Sequence, residues 1–262
     1  MTAPIIRFRA VSKRFDGKDG RELPELAVRD LTFAVEAGEL IAVVGKTGCG
    51  KSTMFNLLAG LIEPTSGTVE VHGRDPFRDF DWFRGKIAVV FQNDRLLPWR
   101  TAIENVAYGL ELNDVAESER RTIAREWLER LGLKGYEDAY PHALSGGMRQ
   151  RVSISRAFAV NPEILLCDEP FSALDELTAE QLRAEFVRLV RENQKTSIFI
   201  THSINEALAL GSRILVFRPP AYIALEVHPA QARTDDERSA MKEAILGAMT
   251  AGPAMDPEHA SA

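Results

Sequence analysis

Only two cysteines, Cys49 and Cys167, occur in 262 residues. That is too few for a disulfide framework, and it suits a reducing compartment. No apolar run approaches the ~20 residues needed to cross a bilayer, so no membrane span is expected. The first fifteen residues carry Arg7, Arg9, Lys13 and Arg14 without an apolar stretch, unlike a secretory leader. Positive charge is not in excess. Lys and Arg number 32 against 38 Asp and Glu, a net charge of −6, and the cations are spread along the chain. No nucleic-acid partner is expected from that distribution. Internal repeats are also missing. What remains is 45% hydrophobic and 27% charged, ordinary for a globular chain with a full core.

Strand-like and helix-like segments alternate. Residues 5–11, 31–35, 40–44, 68–72, 87–91, 164–167, 197–201 and 214–217 read as strands, and 16–24 as a polar loop. Helices are expected over 54–61 and 236–249, and wherever apolar residues recur at helical spacing. Ile123, Trp127, Leu128 and Leu131 share one helical face, with Gly132 as a C-cap, and Leu182, Phe186, Leu189 and Val190 share another. Ser203 and Glu206 have the spacing of a capping box. Such alternation implies an α/β sandwich with a parallel core. The block 93–161 has no strand and reads as an inserted helical subdomain. Residues 252–262 are expected to be disordered.

The most informative segment is Gly45-Lys46-Thr47-Gly48-Cys49-Gly50-Lys51-Ser52-Thr53. It fits G-x-x-x-x-G-K-[ST] and lies between an apolar strand and a helix, the context the motif requires. Glycines let successive N–H groups turn inward, and the helix start adds partial positive charge toward the same point. Lys51 would reach the β- and γ-phosphates, and the Ser52 hydroxyl would ligate Mg²⁺. Cys49, near a helix N-terminus, is expected to have a lowered pKa and raised reactivity.

A phosphate loop alone fits GTPases, kinases and motor ATPases equally. Five further pieces narrow the choice. Ile164-Leu165-Leu166-Cys167-Asp168-Glu169 is an apolar strand ending in two acids. Asp168 would hold Mg²⁺ through water and Glu169 would orient or deprotonate the attacking water. By itself such a pair is no better than a solvated strand end. Leu144-Ser145-Gly146-Gly147-Met148-Arg149-Gln150 is far more specific. Ser145 offers a hydroxyl, Gly146 and Gly147 permit close backbone approach, and a helix follows, which makes a second anion cup.

This segment resembles the L-S-G-G-x-x-Q signature of the ATP-binding-cassette (ABC) ATPases, and the remaining pieces agree with that family. The resemblance covers roughly residues 5–228. It implies that Gln92 contacts Mg²⁺ and the attacking water, that Asp175 lies in the D-loop after Ser172, Ala173 and Leu174, and that His202 is the switch histidine at the γ-phosphate. It also implies that Phe15 stacks on adenine, although Phe8 or a loop residue could serve instead and Phe15 could equally belong to the core. Ser203 stands where family members often carry Asp. The implied fold is an α/β P-loop ATPase core, a mixed sheet with a parallel centre. An antiparallel β region and the helical subdomain accompany it. The implied ABC ATPase domain spans 5–230, followed by a C-terminal helix and tail over 231–262.

In this family ATP lies between the phosphate loop of one copy and the Ser145–Gly147 cup of another, so a homodimer bridged by ATP is implied. The stretch Leu96-Leu97-Pro98-Trp99-Arg100-Thr101-Ala102-Ile103-Glu104-Asn105-Val106 further resembles nitrate, sulfonate and taurine importers. There this region lines a groove, here near Gln92–Thr101, that receives a helix of the membrane permease. Leu96, Leu97 and Trp99 could equally pack the subdomain. The implied protein is an importer ATPase, peripheral on the cytoplasmic face of the inner membrane. It would act with permease subunits and, indirectly, a substrate-binding protein. A soluble ABC switch on ribosomes or DNA is the alternative, and a lapsed cassette acting only by interaction is a third.

Overall fold

The computed structural model describes residues 3–15 and 25–251, so the expected loop 16–24 and tail 252–262 lie outside the described residues. Apart from short 3₁₀ turns, the chain runs β1 (Ile6–Phe15), β2 (Glu25–Val35), β3 (Leu40–Val44), α1 (Lys51–Leu58), β4 (Ser66–Val71) and β5 (Ile87–Val90). Three helices follow: α2 (Ala102–Leu112), α3 (Glu117–Arg130) and α4 (Gly146–Ala159). The last part is β6 (Ile164–Asp168), α5 (Glu176–Glu192), β7 (Thr196–Thr201), α6 (Ile204–Leu210), β8 (Arg213–Arg218), β9 (Tyr222–Val227) and α7 (Asp235–Thr250).

β3, β6 and β7 are buried along almost their whole length, with apolar residues at their centres, because both faces of their sheet are covered. That sheet has the order β5-β6-β7-β3-β8-β9, parallel except for β9. Alternate residues of each strand point to opposite faces. Ile41, Val43, Leu166, Ile198, Ile200 and Leu215 join α1 and the antiparallel sheet β2-β1-β4 in one core. Leu165, Cys167 and Phe199 enter the other core, beneath α4 and α5. There Phe171 packs against Phe199 and Phe186 at centroid distances of 5.7 and 5.9 Å. The mixed sheet with a parallel centre and the antiparallel β region are thus present.

β9 is absent from the sequence reading. It is an edge strand, half-buried along most of its length, so neither alternation nor a solid apolar run marks it. Ser203 and Glu206 form only half of the expected capping box. Glu206 N–H donates to Ser203 Oγ (3.2 Å), but the Glu206 carboxylate turns away to Thr201 and Arg183.

Between β5 and β6 the described structure is helical. α3 buries Ala124 and Leu128 against α2 and α4, with Ile123 and Trp127 half-buried. Its end is a Schellman turn: Gly132 N–H donates to Glu129 O (3.0 Å) and Leu133 N–H to Leu128 O (2.8 Å). The turn needs the left-handed φ of 72° that Gly132 adopts. A capping box between Thr101 and Glu104 starts α2.

The fully buried Asn105 organises the loop before that helix. Its Nδ2 donates to the carbonyls of Leu97 (3.1 Å), Arg100 (3.0 Å) and Thr101 (3.0 Å), and its Oδ1 accepts from Leu97 N–H (2.7 Å). Leu96 packs into the core shared by α2, α3 and α4, whereas Trp99 is 71% exposed. Asn105→Ala would strand several buried backbone groups. It is expected to cost about 3 kcal/mol, read as a lowered chemical-denaturation midpoint.

Candidate nucleotide site

Parallel pairing sets the C-terminal ends of four strands along one edge. Val44 aligns with Thr201, Asp168 with Ile200 and Val90 with Cys167. The segments leaving those ends carry the phosphate loop, His202, Glu169 and Gln92.

The phosphate loop needs glycine at two positions for different reasons. A Cβ on Gly45 would lie 2.6 Å from both Cys49 Sγ and Phe217 O. Gly50 has φ 95° and a Cβ there would meet Ala27 O at 2.4 Å. α1 starts immediately after it, with the buried Lys51 first. Lys51 Nζ donates to Gly45 O (2.7 Å) and Lys46 O (3.1 Å), so the ammonium folds over the loop it belongs to.

Thr47, Gly48, Gly50, Lys51, Ser52 and Thr53 line a cleft of about 580 Å³ together with Gln92, Asp168 and Glu169. Phe15, Leu26, Ala27 and the Pro219-Pro220 pair line it as well. Phe15 is 40% exposed and has Lys13 Nζ 5.3 Å from its ring centre. Ala221, tied to Ala27 and Arg29 by backbone hydrogen bonds, joins the antiparallel sheet to the Pro219-Pro220 side of the cleft wall. Cys49 faces the core instead. Burial pushes its thiol up, with Lys51 opposing only in part, and this overturns the expected lowered pKa.

Two residues distant in sequence converge on the carboxylate of a third. Gln92 Nε2 donates to Glu169 Oε2 (3.5 Å), and His202 Nδ1 lies 3.1 Å from the same oxygen. Glu169 has φ 46°, uncommon for a non-glycine residue. Its N–H donates to Ile200 O (2.9 Å), and Ser172 Oγ donates to its carbonyl (3.0 Å), so the turn is fixed from both sides. The neighbouring Asp168 carboxyl is pushed up, first by burial and then by Glu169, against the pull of Lys51 and Arg95.

The second glycine cup is elsewhere. Ser145 caps α4, its Oγ accepting from Met148 N–H (3.3 Å). Ser145, Gly146 and Gly147 line a hollow of about 290 Å³ with Asp175 and Thr178, and it shares no residue with the phosphate-loop cleft. Asp175 caps α5 by accepting from Thr178 N–H (3.0 Å). Gln150 is buried and donates to Phe91 O (3.4 Å).

Sequence reasoning missed two arginines on α4. Arg156 donates to the carbonyls of Asp94 (2.7 Å) and Arg95 (2.8 Å), and Arg149 Nε to the Asp94 carboxylate (2.9 Å). Together with Gln150 they clamp the chain on both sides of Gln92 to the helix that carries the second cup. No periodicity marks an arginine whose partners are main-chain carbonyls.

A family profile described as ABC transporter matches residues 28–172. The chain belongs to the ABC transporter family. It is 46% identical over 198 residues to the glycine betaine/proline betaine transport ATP-binding protein of Salmonella typhimurium, covering 74% of this chain and 50% of that protein. Against the taurine import ATP-binding protein of Yersinia pestis it is 40% identical over 234 residues, 84% of this chain and 90% of the relative. The nitrate import ATP-binding protein of Synechococcus elongatus is 43% identical over 196 residues, 73% of this chain and 29% of that protein. The chain therefore spans about half the length of the betaine-transport relatives it matches. A solved dimeric ATP-binding cassette in a post-hydrolysis state with ADP and Pi superposes with TM-score 0.75 at 33% identity, over 86% of this chain and 98% of that one. These neighbours carry the same cassette fold.

Proposed function

We propose that this ABC chain is the ATP-hydrolysing subunit of an importer. The meeting of Gln92, Glu169 and His202 beside the phosphate loop carries this reading. ATP would lie in the cleft, its phosphates on the N–H groups of loop 45–53 and on Lys51, its adenine toward Phe15. Glu169 accepts the proton of the water that attacks the γ-phosphorus as the bond to the β-phosphate oxygen breaks, leaving ADP and phosphate. His202 and Gln92 hold the Glu169 carboxylate and face the γ-phosphate.

Ser52, Gln92 and Asp168 offer three oxygens on the wall of one cleft. Hard oxygen donors completed by water and phosphate suit Mg²⁺. When bound, the ion neutralises charge that builds on the transferred phosphoryl group.

The Ser145 cup shares no lining residue with this cleft, so it would complete the site of a second copy, and likewise in reverse. Closure of that homodimer on ATP and release after hydrolysis supply the motion. The solved neighbours are dimeric cassettes, which supports this arrangement. Among the described residues no helix is long and apolar enough to cross a membrane, so a permease would provide the path. The exposed Trp99, beside a hollow with Arg100, Ile103 and Glu104, is the surface we assign to it. The complex would lie on the cytoplasmic face of the inner membrane and work with a substrate-binding protein. Taurine, nitrate and betaine relatives are all similar, and the cargo, a small solute of this kind, touches none of the residues described.

Tagged chain recovered from native membranes is expected to retain a polytopic membrane protein. Trp99→Ala is expected to lose it while binding ATP with unchanged affinity. Co-sedimentation with ribosomes or DNA instead would replace transport by the soluble-switch reading.

A further inference from the structure

We propose that Arg183 and Glu206 are positioning residues for hydrolysis, holding His202 against Glu169 through Thr201 and linking that contact to the start of α5. The inference rests on the roles given above to His202 and Glu169.

The His202 ring is 61% exposed, and Glu169 is its one hydrogen-bonding side chain among the described residues. A ring so exposed takes its direction from the backbone that carries it. That backbone is tied on both sides to one glutamate. Before it, Thr201 Oγ1 donates to Glu206 Oε2 (2.5 Å) and accepts from Ser203 N–H (3.0 Å). After it, Ser203 Oγ accepts from Glu206 N–H (3.2 Å). The remaining Glu206 oxygen accepts from Arg183 Nη1 (2.8 Å), and Arg183 Nη2 reaches Glu176 Oε1 (2.7 Å).

Arg183 and Glu206 keep 15% and 12% of their side-chain exposure. At that depth an ion pair is not a weak surface contact, and Arg183 without Glu206 would keep only the exposed Glu176 as a partner. The pair lies on the wall of the large hollow between α5 and α6, a place that apolar residues could have filled. Its far end, Glu176, directly follows Asp175 of the Ser145 cup. A nucleotide engaged by that cup therefore has a path of charged contacts to the switch histidine of the same chain. Such paths act only where they bias a defined geometry, and the His202–Glu169 contact is that geometry.

The test compares Thr201→Val, Thr201→Ser, Glu206→Gln and His202→Ala in the full chain. Steady-state phosphate release gives kcat and KM for ATP, and thermal melting gives the folded fraction. Misplacing a reacting group by about 1 Å costs up to ~100-fold. Thr201→Val and Glu206→Gln are expected to lower kcat about 10-fold or more, with KM within about twofold and the protein folded, and Thr201→Ser to restore it. If His202→Ala alone is slow, the parent reading stands and this inference falls. It falls equally if kcat drops only in step with the folded fraction. Wild-type turnover by His202→Ala would instead remove the parent assignment.

Discussion

Glu169→Gln is expected to lower ATP hydrolysis by about 10²–10³-fold while leaving nucleotide binding intact. The amide keeps the shape of the side chain and can still engage Gln92 and His202, whose contacts of 3.5 and 3.1 Å both end on Glu169 Oε2. What it loses is the capacity to accept a proton. With turnover stopped, ATP remains in the shared site, so the variant is expected to elute as a dimer with Mg²⁺ and ATP and as a monomer with ADP. Phosphate release measured beside size-exclusion chromatography checks both parts. Rapid turnover by the amide variant would remove Glu169 from its role. A turnover-blocked chain that stays single with ATP would remove the paired-cup arrangement.

The second large effect concerns affinity. Lys51→Ala removes the cation most enclosed by the phosphate loop, whose Nζ is now held by Gly45 O and Lys46 O at 2.7 and 3.1 Å. Those carbonyls keep it at the mouth of the cleft, from which it can swing to the β- and γ-phosphates. Charge-assisted hydrogen bonds to phosphate contribute roughly 1.5–3 kcal/mol each. The expected loss is therefore about 100-fold in ATP affinity, near 2.7 kcal/mol, with a much smaller loss for adenosine. Isothermal calorimetry measures it. Wild-type affinity in the variant would set aside the phosphate-loop role of Lys51.

The strands that build the site could be read from sequence because burial on both sides forces them to be apolar. The 40–44, 164–168 and 196–201 segments each present an apolar run delivering a motif at its end. The two glycine-rich cups were equally plain, since close backbone approach restricts residue choice sharply. Gly50, with Ala27 O only 2.4 Å from where its Cβ would be, shows why. Less legible were features that depend on tertiary placement. Glu206 reads as a helix cap at the level of spacing, and only the fold brings Arg183 within 2.8 Å of it. Cys49 sits at a helix start, which suggests an acidic thiol, but the loop turns its sulfur inward and desolvation prevails. β9 escaped notice because an edge strand obeys weaker rules of composition. Trp99 and Leu96, three residues apart, were indistinguishable as core or surface until the bonds of Asn105 fixed the loop.

The hold of α4 on the segment after Gln92 has an evolutionary side. Arg156 reaches the carbonyl oxygens of Asp94 and Arg95, atoms that every amino acid supplies. The mechanical joint between the two halves of the cassette thus survives almost any replacement of the side chain at position 95. Neighbouring surface positions can then vary without loosening the segment that follows Gln92.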